Sequence, residues 1–109
     1  MSNPADINSA QYVLASLSTA SAAVTVEEIY KSISRVIVDN TAGSSPVFVV
    51  SGITSPTAVF PSSATVASVG SVVGAGTVQT YMKDPNHNFI AAIRQSGTAD
   101  LYIKLTQGD

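Results

Sequence analysis

The stretch FIAAIRQSGTADLYIKL, Phe89–Leu105, decides how the chain is read. An apolar run, a Ser-Gly-Thr break and a second apolar run are the pattern of two β-strands joined by a short loop. Two registers compete. With Ser96-Gly97 alone as the loop, Ile93 faces Asp100, and one face mixes apolar with charged residues. With Ser96-Gly97-Thr98 as the loop, a length that commonly carries a bulge, Ile93 faces Leu101, Ala91 faces Ile103 and Phe89 faces Leu105. Arg94 then meets Asp100, and Ala92 meets Tyr102, on the other face. The second register is expected because it makes one face wholly apolar, and a slip of one residue would reverse every side chain. Its exposed ion pair would add only ~0.2–1 kcal/mol. Each fully buried large aliphatic side chain is worth roughly 1.5–3 kcal/mol.

The same punctuation recurs upstream. Ala22–Val26 reads as a strand closed by Glu27-Glu28. Ile33–Asp39 is another, and its centre, Val36-Ile37-Val38, is apolar on both faces and needs cover on both sides. Asn40–Pro46 is a turn cluster. The run VFVVS (47–51) follows and would pair with Ile33–Asp39 as a hairpin. Pro56 and Pro61 exclude a long central strand. Short strands are expected at Thr57–Phe60 and Thr65–Val69, turns at Gly70 and Gly74–Gly76, and a further strand at Thr77–Met82. At the N-terminus, Asn3-Pro4-Ala5-Asp6 carries helix-start signals, with Ile7, Ala10 and Leu14 following on one face. An extended arm fits the same residues. The expectation is an N-terminal arm over 1–15, with a brief turn or helix at 4–10 and strand from about Tyr12, and a single domain over 16–109. About eight short strands without a long helix make an all-β, two-sheet antiparallel sandwich of Greek-key or jelly-roll type.

Composition narrows function by exclusion. A chain of 109 residues supports one core. With no cysteine, neither disulfides nor thiolate metal sites can form. Charged residues are 11% of the chain, less than half the usual ~25%. The basic residues Lys31, Arg35, Lys83, Arg94 and Lys104 are scattered, so there is no stripe for nucleic acid. No window approaches the ~18 uninterrupted apolar residues of a membrane span. The N-terminus lacks the basic and apolar regions of a signal peptide, so synthesis and use in a cytoplasm is expected. A weakly charged surface suits a solitary monomer poorly, and an assembly would hide it.

Catalytic patterns are thin. His87 with Asp84 invites a Ser-His-Asp triad, but DPNH reads as a turn and no serine sits in a nucleophile-elbow context. A metal at Asp84 and His87 would need ligands from elsewhere. Glu27 and Glu28 diverge as neighbours, unlike the paired acids of a glycosidase cleft. GSVVGAG lacks the Lys-Ser/Thr and the following helix of a phosphate loop. The expectation is no enzyme, no cofactor and no metal. Tyr12, Tyr30, Tyr81 and Tyr102 fit sugar stacking or, alternatively, amphipathic packing at a core edge or subunit contact. Ile7, Tyr12, Tyr81 and Tyr102 are the candidate interface residues.

VIVDNTAGSSPVFVVSG (36–52), GAGTVQTYM (74–82) and HNFIAAIRQSGTADLYIKLTQGD (87–109) together resemble a recurring small virion structural protein of tailed bacteriophages. The likeness lies in their order: a strand ending in an Asn turn, a Pro-Val-Phe-Val strand, a Gly-Thr-Val strand and the closing Ile-Ala-Ala-Ile pattern. Ile53–Gly70 and the N-terminal arm depart from it, so partner contacts there are expected to differ. The resemblance implies a capsid decoration, or cement, protein bound to the major capsid protein lattice and to sibling subunits as a homo-oligomer, trimer or dimer, on the virion surface. A neck, tail or fibre-base subunit is the alternative it implies. A carbohydrate-binding module using Tyr81 and Tyr102 belongs to a different class.

Overall fold

The structure is a computed structural model that describes residues 10–61 and 70–106. Its strands are β1 (Ala10–Leu17), β2 (Ala22–Thr25), β3 (Arg35–Asp39), β4 (Val47–Gly52), β5 (Ser71–Val73), β6 (Val78–Met82), β7 (Phe89–Arg94) and β8 (Ala99–Thr106), with one 3-10 turn at Glu28–Tyr30. They form two four-stranded sheets, β1-β8-β3-β6 and β2-β7-β4-β5, and every pairing is antiparallel. Each connection except β4 to β5 crosses from one sheet to the other, which is the winding of a jelly roll. The expected two-sheet sandwich is present. Its core follows period-two alternation: Leu101, Ile103 and Leu105 of β8 are fully buried, and Val36 and Val38 of β3 lie beside them.

Phe89–Leu105 is nevertheless not a hairpin. β7 lies between β2 and β4, whereas β8 lies between β1 and β3 in the opposite sheet. Gln95–Thr98 arches across the sandwich, with Gly97 in the left-handed region at φ 70°. The reason is in β7 itself. Ile90, Ala91 and Ala92 are all buried, so this strand is covered on both faces, and a hairpin would leave one face to water. The expected opposition of Ile93 to Leu101 is replaced by Ile93 opposite Phe48 and Leu101 opposite Leu14. The expected Arg94–Asp100 pair is absent too, since Asp100 accepts the Ser16 N–H. β3 and β4 likewise belong to different sheets, and their doubly apolar runs record two-sided cover rather than mutual pairing.

Other boundaries shift for the same reason. Of the expected arm over 1–15, residues 1–9, including Ile7, lie outside the described residues. From Ala10 onward the chain is β1, because Ala10 and Leu14 pack into the core. Thr57–Phe60 has no ladder partner. β5 forms at Ser71–Val73, between the turns expected at Gly70 and Gly74–Gly76, and Thr65–Val69 lies outside the described residues.

Thr57–Phe60 instead lies over the outer face of the β2-β7-β4-β5 sheet. Ala58 and Phe60 pack there with Phe48, Val50, Ala91 and Ile93 as a second, smaller core. The rings of Phe48 and Phe60 meet edge-on at 6.4 Å, and the Ala58 N–H donates to Ser21 Oγ at 2.8 Å. Pro56 and Pro61 deny this segment a ladder, so it serves as a lid held by side chains. Phe60→Ala is expected to lower stability by about 1–2 kcal/mol, read as a shift in the urea midpoint, because this partly buried ring packs over Phe48.

The four arches β1–β2, β3–β4, β5–β6 and β7–β8 gather at one end of the sandwich, and two polar side chains tie them together. Asn40, fully buried, donates through Nδ2 to Ser45 O at 3.0 Å and Gly74 O at 3.1 Å. Its backbone N–H donates to Thr77 O, and its carbonyl accepts from Gly43 and Gly76. Arg94, 2% exposed, donates to Leu17 O, Asn40 Oδ1, Ser45 O and Ala99 O. No carboxylate pairs with it among the described residues. Burial pulls its pKa down, yet guanidinium stays charged in proteins. The charge is held by dipoles: four of its five N–H groups have acceptors.

Candidate functional site

The opposite end is open. A cavity of about 470 Å³ lies between the β3–β6 and β4–β5 halves of the sheets. Val36, Val38, Val49 and Ile90 form its apolar wall, and Ser51, Lys83, Asp84 and His87 its polar side. Alternation along β6 turns Tyr81, and Lys83 just beyond the strand, toward this space. Tyr81 spans the mouth and donates its hydroxyl to Val72 O at 3.1 Å, tying β6 to β5. Burial raises its pKa.

Lys83 is 6% exposed. Its ammonium donates to Lys31 O at 2.7 Å and Asp84 O at 3.2 Å, both backbone carbonyls. Desolvation lowers its pKa, with Asp84 opposing. Ser51 Oγ and His87 Nδ1 lie 2.8 Å apart. The sequence hid this pair, because the two residues are separated by β5 and β6. Asp84 does not complete a triad: its carboxylate accepts the Asn86 N–H, and its backbone carbonyl accepts the His87 N–H. No group of three His, Cys, Asp or Glu side chains that could hold a metal occurs among the described residues.

The structure separates the three described tyrosines proposed for an interface. Tyr12 points inward at the edge of the core, and its hydroxyl accepts the Glu27 N–H at 3.1 Å. Tyr81 lines the cavity mouth. Tyr102 faces out, on the exposed side of the β1-β8-β3-β6 sheet. There it lies in one rung with Val13, Asp39 and Val78, and Met82 lies farther along β6. Val13, Val78 and Met82 are exposed, Met82 at 74%.

Among the described residues β6 is also a free edge. Lys83 N bonds to Ser34 O, and Asn40 N to Thr77 O. These bonds fix the antiparallel phase, so Gln79 and Tyr81 bond inward to β3, while Val78, Thr80 and Met82 turn their N–H and C=O groups away from the sheet. Other edges are blunted: β1 carries a bulge at Ser16, and β2 and β5 have four and three residues. β6 has five residues, with no charge, proline or bulge.

No family model matches the chain, and no curated protein is similar to it. A chain solved in work on Bacillus endospore appendages, described as a novel family of disulfide-linked pili, is similar to it over 97% of this chain and 96% of its own, at 14% identity and a TM-score of 0.48.

Proposed function

We propose that this protein is a structural subunit that works through protein–protein contact, and specifically that it is a capsid decoration protein of a tailed bacteriophage, binding sibling copies and the major capsid lattice. The observation that carries the contact reading is the unprotected β6 edge beside an outer sheet face bearing Val13, Tyr102, Val78 and Met82. Monomeric proteins guard such edges with charge, proline or bulges, because an open row of N–H and C=O groups recruits another strand. Among the described residues the row stands free. Interfaces of stable partners bury about 800 Å² on each side, and many linked copies multiply modest contacts through effective concentration. The phage assignment rests on the three stretches whose order resembles virion proteins.

Thr80→Pro tests the edge. Thr80 gives no bond to β3, so proline there removes only an outward N–H, and the sandwich is expected to stay folded. Purified wild-type protein is expected to add in many copies to expanded heads and to raise their rupture temperature, whereas the variant binds at least about tenfold more weakly, the loss of one to two hydrogen bonds and strand fit. Recovery only in a small ring at the neck or tail would reject the decoration role. Normal addition of the proline variant would reject β6 as the contact.

A further inference from the structure

The open-end cavity carries an inference that does not rest on the assembly role. We propose that it binds an apolar monocarboxylate, such as a medium-chain fatty acid, with the chain against Val36, Val38, Val49 and Ile90 and the carboxylate on Lys83. Three observations converge. The volume, about 470 Å³, falls in the range of small-molecule sites, ~300–1,000 Å³. The wall is aliphatic, made by buried core residues of both sheets. The buried cation beside it is incompletely paired. An ammonium has three donors, and Lys83 spends two on the carbonyls of Lys31 and Asp84.

The contrast with the other end of the molecule sharpens this. Arg94 has no carboxylate partner among the described residues, but four acceptors surround it and Asn40 lies beside it. Lys83 has two acceptors and borders the cavity. An anion completes one end as the carbonyl cage completes the other. Ser51 and His87, joined at 2.8 Å on the same polar side, offer a second hydrogen bond to a carboxylate oxygen. Neutral alkanes would leave the third Lys83 proton unmatched. Divalent anions such as phosphate would place a second charge against the aliphatic wall without a cation to meet it.

Titration of the full chain with dodecanoate, followed by calorimetry and by the Cε–Hε resonances of its lysines Lys31, Lys83 and Lys104, tests the site. Saturable binding with one shifted lysine, Lys83, is expected, and 1-dodecanol is expected to bind at least tenfold more weakly, the worth of one charge-assisted hydrogen bond. Lys83→Met, which keeps the length and apolar stem, is expected to equalise the acid and the alcohol. Ser51→Leu projects into the cavity from the β4 wall and is expected to abolish binding of both while the amide spectrum stays folded. No saturable dodecanoate binding overturns the proposal, as does binding that leaves Lys83 unshifted. Equal affinity for acid and alcohol in the wild type overturns the role of Lys83. If Lys83→Met fails to fold, the acid-to-alcohol ratio in the wild type and the Ser51→Leu result still decide.

Discussion

Replacing Arg94 with methionine is expected to cost about 3–5 kcal/mol of folding stability, a large share of the ~5–15 kcal/mol typical of a domain. The substitution keeps volume and removes charge, so a purely desolvating arginine would make it neutral or stabilising. It will not be neutral here, because the guanidinium is the common donor to four acceptors on three segments: Leu17 at the end of β1, Asn40 and Ser45 in the β3–β4 arch, and Ala99 at the start of β8. Without it, these buried oxygens lose a partner, at roughly 1–3 kcal/mol for each that water cannot reach. Lysine is no substitute: a point charge with three donors cannot span the fork that reaches Leu17 on one side and Asn40 on the other. Urea unfolding of Arg94→Met and Arg94→Lys checks this. Midpoints within a few tenths of a molar of wild type would mean the arches hold without the clamp.

That clamp also shows what was and was not legible in the sequence. The strand count, the all-β class and most boundaries followed from alternation and turn residues, which are local signals. The pairing did not follow. Phe89–Arg94 and Ala99–Thr106 read as a hairpin because each has an apolar face, and that test cannot see whether the second face is also covered. Ala91 and Ala92, adjacent and both buried, were the available clue: small side chains on successive positions let neighbours approach both faces. Arg94 looked like a surface charge awaiting Asp100. Its true partners are backbone carbonyls, which no side-chain pattern reveals. Asn40 sat within an obvious turn cluster, and nothing in NTAGSSP distinguishes a solvated asparagine from a buried one. At the open end, Lys83 was closer to legible. Extending the period-two pattern of Gln79 and Tyr81 by one step turns it inward. The Ser51–His87 contact was beyond reach, since it depends on how two sheets stack.

Gly43→Ala is the second large effect expected, about 2–3 kcal/mol destabilising. It lies at the same clamp but acts by crowding rather than loss. Gly43 is buried in the β3–β4 arch, and its conformation is one that alanine could adopt, since its φ is not in the left-handed region. Space is the obstacle. A methyl at this position would sit 2.1 Å from Arg94 Nη1 and 2.6 Å from Asn40 Oδ1. The end of an exposed arginine would swing aside at little cost. This one is pinned by bonds to Leu17, Asn40, Ser45 and Ala99, and moving it breaks several at once. The two substitutions are therefore expected to be strongly non-additive. In an Arg94→Met background, where the fork is gone and a flexible thioether remains, adding Gly43→Ala is expected to cost under about 1 kcal/mol. A double-mutant cycle from four urea curves reads the coupling directly. If Gly43→Ala costs the same in both backgrounds, the glycine is required for some reason other than the approach of Arg94, and the rigid cage at the closed end is not what sets the arch.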